Sequence, residues 1–126
     1  MSINSDESPS SVGRKGEDIA CVYLSRCLGW SVVDRNFKTR SGELDVVAYT
    51  PGRYVFVEVK TRRTHRFGVP LEAVTPIKVA RLMQQIHYYS RARSIDLDRF
   101  EVCLDVVGLI LNQGVLASVQ HVRILP

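Results

Sequence analysis

Residues 43–60 read ELDVVAYTPGRYVFVEVK, two β-rich runs separated by Thr50-Pro51-Gly52-Arg53. Proline and glycine are the strongest turn punctuators, so the stretch predicts a hairpin with strands over 43–49 and 54–60. With the four turn residues unpaired, Tyr49 faces Tyr54 and opposed positions sum to 103. Asp45 then lies opposite Glu58, and Glu43 opposite Lys60. Side chains alternate along a strand, so Glu43 and Asp45 share a face, as do Glu58 and Lys60. Directly opposed like charges are destabilising, and a fold gains nothing structural from setting Asp45 against Glu58. A divalent cation between them removes the penalty; Mg²⁺ is typically held by one or two carboxylates with water completing its shell. The Lys60 ammonium, two positions from Glu58, can steady a phosphate oxygen. The pattern points to phosphodiester hydrolysis with Mg²⁺ or Mn²⁺, with Asp45 and Glu58 as metal ligands and Lys60 beside them.

Helical patterns flank the hairpin. From Arg14 to Leu28, the residues Ala20, Cys21, Leu24 and Leu28 share one face, and Gly29 supplies a stop. Carried back one turn, that face contains Glu17, a carboxylate expected at the N-terminal end of the helix. Residues 30–34 (WSVVD) form a short β-rich run before the hairpin. After it, Thr75-Pro76 reads as a helix cap with proline at the first helical position. Val79, Leu82, Ile86 and Tyr89 form an apolar stripe, with Lys78, Arg81, Gln85 and Tyr88 on another face. Residues 100–111 are nearly continuously apolar, as expected of a central strand covered on both sides. Asp105 interrupts that run for no reason visible in the sequence. Asn112-Gln113-Gly114 then turns the chain into a last strand over 115–125. The order α-β-β-β-α-β-β predicts an α/β fold, a mixed sheet flanked by helices. The crossover makes the strand from residue 100 parallel to the strand over 54–60. Residues 1–12, rich in Ser, Asn and acids, read as a flexible leader before a single domain over 13–126.

Composition removes several classes. The 126 residues suffice for one core. Three cysteines, Cys21, Cys27 and Cys103, are an odd number without a Cys-x-x-Cys pair, which argues against a disulfide framework or a thiolate zinc site. They read as reduced thiols in a cytoplasmic protein. The seventeen-residue uncharged stretch over 106–122 is broken by the Asn-Gln-Gly turn, and a membrane helix needs about 20 apolar residues. The net charge is +4, and thirteen of the seventeen cations are arginines, suited to forked contacts with phosphate.

Those cations cluster near the acids. The segment 60–66 (KTRRTHR) leaves the strand end beside Glu58, and Arg35, Lys38 and Arg40 precede Glu43. Arg62, Arg63, Arg66, Arg40 and Lys38 are therefore the candidates for nucleic-acid backbone contacts, which give affinity and salt dependence but little sequence readout. The connection over 61–74 is longer than usual, and loops of that length are commonly functional. Glu43 and His65 are supplementary site candidates.

The motifs GRKGE (13–17), Asn36, GELD (42–45), VFVEVKTR (55–62), Phe67-Gly68 and Arg99-Phe100 resemble the YraN family of small bacterial proteins. That family is similar in fold to restriction endonucleases and Holliday-junction resolvases, the PD-(D/E)XK superfamily. The resemblance spans roughly residues 13–102. It implies a restriction endonuclease-like sheet, Asp45 and Glu58 as metal ligands, Lys60 as the catalytic lysine and Glu17 as a helix-borne acid. It further implies a DNA endonuclease, acting for instance on branched or recombination and repair intermediates, and allows a homodimer. Glu101 departs from the pattern, which has Asp after Arg-Phe. Two other readings stand beside this one: a non-cleaving nucleic-acid-binding module of the same fold, and a scaffold using the exposed edge of the last strand.

Overall fold

The hairpin forms as its turn chemistry dictates. In the computed structural model, which describes residues 9–63 and 75–126, strands β2 (Gly42–Thr50) and β3 (Arg53–Arg62) pair antiparallel from Thr50–Arg53 to Val46–Val57. These pairs all keep the expected sum of 103, and Gly52 takes the positive φ of +77° that the turn requires. Before the hairpin come α1 (Pro9–Val22), extended by a π-helical turn over Tyr23–Cys27, and β1 (Ser31–Thr39). After it come α2 (Pro76–Ala92), a 3-10 turn (Leu97–Arg99), β4 (Glu101–Asn112) and β5 (Val115–Leu125). The sheet order is β1-β2-β3-β4-β5, with β3 and β4 parallel and the other neighbours antiparallel. This is the restriction endonuclease-like mixed sheet flanked by helices.

Alternation divides the core into two layers. Val55, Val57 and Val59 of β3 pack with Ala20 and Leu24 from the α1 side, whereas Phe56 packs with Leu82, Ile86 and Tyr89 of α2. Glu58 and Lys60 follow the Phe56 parity, so they emerge on the α2 face. Strand β4 is buried continuously from Cys103 to Leu111, as a strand between β3 and β5 under helices must be. Each of these fully buried aliphatic side chains contributes about 1.5–3 kcal/mol relative to exposure. Among the described residues, no helix is long and apolar enough to cross a membrane.

Three local expectations are corrected. Helix α1 starts at Pro9, more than a turn before Arg14, so residues 9–12 of the expected leader are helical and Val12 is buried; residues 1–8 lie outside the described residues. The π turn inserts extra residue into the helical repeat, which rotates Leu28 out into solvent instead of leaving it on the face of Ala20 and Leu24. On α2, Gln85 is buried beside Leu82, Ile86 and Tyr89, and its Nε2 donates to the Ser41 carbonyl (3.1 Å). Apolarity alone assigned that helix face, and a glutamine able to reach a backbone carbonyl can join it.

Candidate metal and nucleic-acid site

The site arises where the sheet opens. Asn36 sits in β1 with a left-handed backbone (φ +52°), a conformation that asparagine tolerates better than most residues. Pairing of β1 with β2 passes from Arg35–Val46 to Phe37–Leu44, stepping over Asn36 and Asp45. The β2–β3 ladder ends one step before Asp45, at Val46–Val57. The expected cross-strand pairs of Asp45 with Glu58 and of Glu43 with Lys60 are therefore not ladder pairs; Glu43 pairs with Lys38 of β1 instead. At the opening, the Asp45 Oδ2 accepts the Val59 backbone N–H (2.8 Å). The Asn36 amide donates from Nδ2 to Glu17 Oε1 (2.7 Å) and to Glu43 Oε1 (2.9 Å), drawing two acids together.

Glu17 reaches this place because α1 approaches β3 closely at Gly16, where a Cβ would overlap the Thr61 side chain. With the helix starting at Pro9, Glu17 lies about two turns inside it, and the first turn holds no acid. The helix dipole therefore gives no account of this carboxylate, which removes the simplest structural reason for it.

Glu17, Glu43 and Asp45 each offer a carboxylate oxygen, and the three lie within 4.8 Å of one another. Burial, then the negative charges of Glu58 and Glu17, push the Asp45 carboxyl up to about 7; the Val59 N–H and Lys60 act against this. An all-oxygen donor set in which Asp45 is costly to ionise fits a hard divalent cation such as Mg²⁺ or Mn²⁺.

Glu58 is 7% exposed and is held differently. Its Oε1 lies 3.1 Å from Lys60 Nζ and 3.1 Å from Lys78 Nζ. Burial, followed by the neighbouring Lys78, lowers the Lys60 pKa, against which Glu58 works. The apolar stripe of α2 puts Lys78 on another face of the helix and gives no hint of its part in the site. A signal existed: Thr75 caps α2 through its hydroxyl, which accepts the Lys78 N–H (3.2 Å), and that third helical position usually carries Glu or Gln. A lysine there opposes the helix dipole and calls for a partner elsewhere.

Of the cation candidates, Lys38 and Arg40 are exposed at the β1–β2 turn, Arg62 is half-buried at the end of β3, and Arg63 is exposed beyond it. His65 and Arg66 lie outside the described residues. Arg35, also on β1, is committed to Asp18 of α1 (2.7 Å).

A family profile described as "Uncharacterised protein family UPF0102" matches residues 16–109, which include Glu17, Asn36, Glu43, Asp45, Glu58, Lys60 and Lys78. A UPF0102 protein of Syntrophomonas wolfei is 42% identical over 113 residues, covering 88% of this chain and 93% of the relative. One of Geobacter sulfurreducens is 45% identical over 113 residues, with 88% and 84% covered. One of Rhodococcus opacus is 39% identical over 112 residues, with 89% and 92% covered.

Proposed function

The chain belongs to the uncharacterised protein family UPF0102, and from the chemistry of its acidic site we propose that it is a metal-dependent endonuclease acting on DNA in the cytoplasm. The observation that carries this reading is the trio of Asp45, Glu17 and Glu43 with oxygens within 4.8 Å of one another, Asp45 being raised to about 7 with Glu58 and the Lys60 ammonium as neighbours. Asp45, Glu17 and Glu43 would hold Mg²⁺ or Mn²⁺, with Glu58 as a further ligand once its lysines let go. When bound, such an ion activates water at neutral pH and neutralises charge on a phosphodiester. Lys60 holds a non-bridging oxygen of the phosphate under attack through its ammonium group. Asn36 holds the Glu17 and Glu43 carboxylates close together by donating to both. Lys38, Arg40, Arg62 and Arg63 ring the strand ends that carry these acids and supply salt-dependent contacts to the nucleic-acid backbone. A duplex offers more surface than one 14.2 kDa chain covers, which favours a homodimer as the working form.

The test is incubation of the purified protein with linear, single-stranded and branched DNA in Mg²⁺, Mn²⁺ or EDTA. Metal-dependent products that disappear in Glu58→Ala and in Lys60→Ala are expected. Products that survive either substitution, or no products under any metal, contradict cleavage; salt-sensitive binding without products would leave the non-cleaving module.

A further inference from the structure

Helix α2 brings a second amine to Glu58, one that neutralising this carboxylate does not require. One buried carboxylate needs one countercharge, yet Lys60 and Lys78 both reach the same Oε1 at 3.1 Å. The second ammonium exceeds what Glu58 alone requires, and it sits in the first turn of α2, where the helix dipole disfavours it. The two lysine side chains keep 21% and 27% of their exposure, so both retain access to a ligand arriving from solvent. Ammonium groups with this access beside a carboxylate cluster are suited to a phosphate oxygen as a point charge. Resting on the metal-dependent reading above, we propose that Lys78 is a phosphate-holding residue that changes partner. Glu58 holds it while the site lacks a cation; when a divalent ion claims Glu58, Lys78 is released to a non-bridging oxygen of the nucleic-acid strand. It then competes with the cation for Glu58, but works with the cation in holding the strand.

This double role gives opposite signs in two measurements on one variant. Lys78→Met keeps the apolar stem and removes the charge. Mn²⁺ alone, titrated calorimetrically, binds Lys78→Met about three- to tenfold more tightly than wild type, because the competing ammonium is gone. A fluorescein-labelled duplex in Ca²⁺, followed by anisotropy, binds it about tenfold more weakly, with a salt slope reduced by about one. In EDTA the duplex affinity is unchanged, since Lys78 is then occupied by Glu58. Lys78→Gln moves the same way, and Lys78→Arg keeps the duplex affinity in Ca²⁺. A lysine that only props up the site weakens Mn²⁺ and duplex together, and that result overturns the proposal. So does a Lys78→Met protein that binds the duplex in Ca²⁺ like wild type. A wild-type protein that takes up neither Mn²⁺ nor the duplex removes the underlying metal-dependent reading instead.

Discussion

Two aspartates in the same sheet are treated in opposite ways. Asp105 of β4 is 1% exposed and accepts from His121 Nε2 (2.7 Å), Arg123 Nε (2.9 Å) and Arg123 Nη2 (3.3 Å). The His121 ring is itself fixed, with Nδ1 bonded to the Tyr23 hydroxyl (2.7 Å) and the Tyr23 and Trp30 rings packed edge-on against it. Burial alone would raise the Asp105 carboxyl, but His121 and Arg123 hold it below the ordinary value of 3.8. Asp45 of β2 has one backbone donor, with Glu17 and Glu43 beside it and Glu58 close enough to act on its charge, and is raised to about 7. The fold can silence a buried acid completely, as at Asp105. At Asp45 the described residues supply no such cationic clamp, and the proposed function gives that part to a divalent ion.

The sharpest contrast comes from removing each acid. Asp105→Ala leaves an arginine and a histidine without their buried partner and should cost about 3–4 kcal/mol in urea unfolding, with Mn²⁺ affinity unchanged. That difference from wild type shrinks as pH falls below 3.8 and through the depressed folded value, because the protonated acid no longer pairs. Asp45→Asn should instead stabilise the metal-free protein, by about 2 kcal/mol at pH 8, while abolishing Mn²⁺ uptake. The sign follows from the raised pKa: ionising Asp45 in the folded state is penalised, so its contribution falls as pH rises from about 4 to about 7. Asparagine mimics the protonated form, so the gain should shrink steadily below pH 7 and vanish only below about pH 4. An Asp45→Asn protein less stable than wild type at pH 8 would contradict a penalised Asp45 charge.

Smaller effects sharpen it further. Gly16→Ala pushes α1 away from Thr61 and should cost about 1–2 kcal/mol, with weaker Mn²⁺ binding because Glu17 moves with the helix. Binding of Mn²⁺ should release about half a proton at pH 7, close to one at pH 6 and almost none at pH 9, as Asp45 gives up its proton. Calorimetry in buffers of different ionisation enthalpy measures this, and a pH-independent release would point to another ligand.

The features legible in the sequence were local. The Pro51-Gly52 turn set the register of the hairpin, Thr75-Pro76 marked the start of α2, and the apolar run of β4 identified a covered strand. Asp45, Glu58 and Lys60 could be placed in one neighbourhood by counting from a turn. What escaped depended on backbone departures or distant partners. Periodicity does not announce a left-handed Asn36 or a π turn, and both change which side chains meet. The partners of Asp105 lie on β5, sixteen and eighteen positions further on, and only the β4–β5 register brings them across. Lys78 belongs to an element separated from Glu58 by the residues outside the described structure, so no local spacing pairs them.

Anomalous scattering from a crystal soaked in Mn²⁺ at neutral pH or above would locate any ion that Asp45 holds. A peak bonded to an Asp45 carboxylate oxygen, shared with Glu17, Glu43 or Glu58 and lost in Asp45→Asn, is the predicted result. A crystal saturated with Mn²⁺ that shows no peak at Asp45 would contradict it.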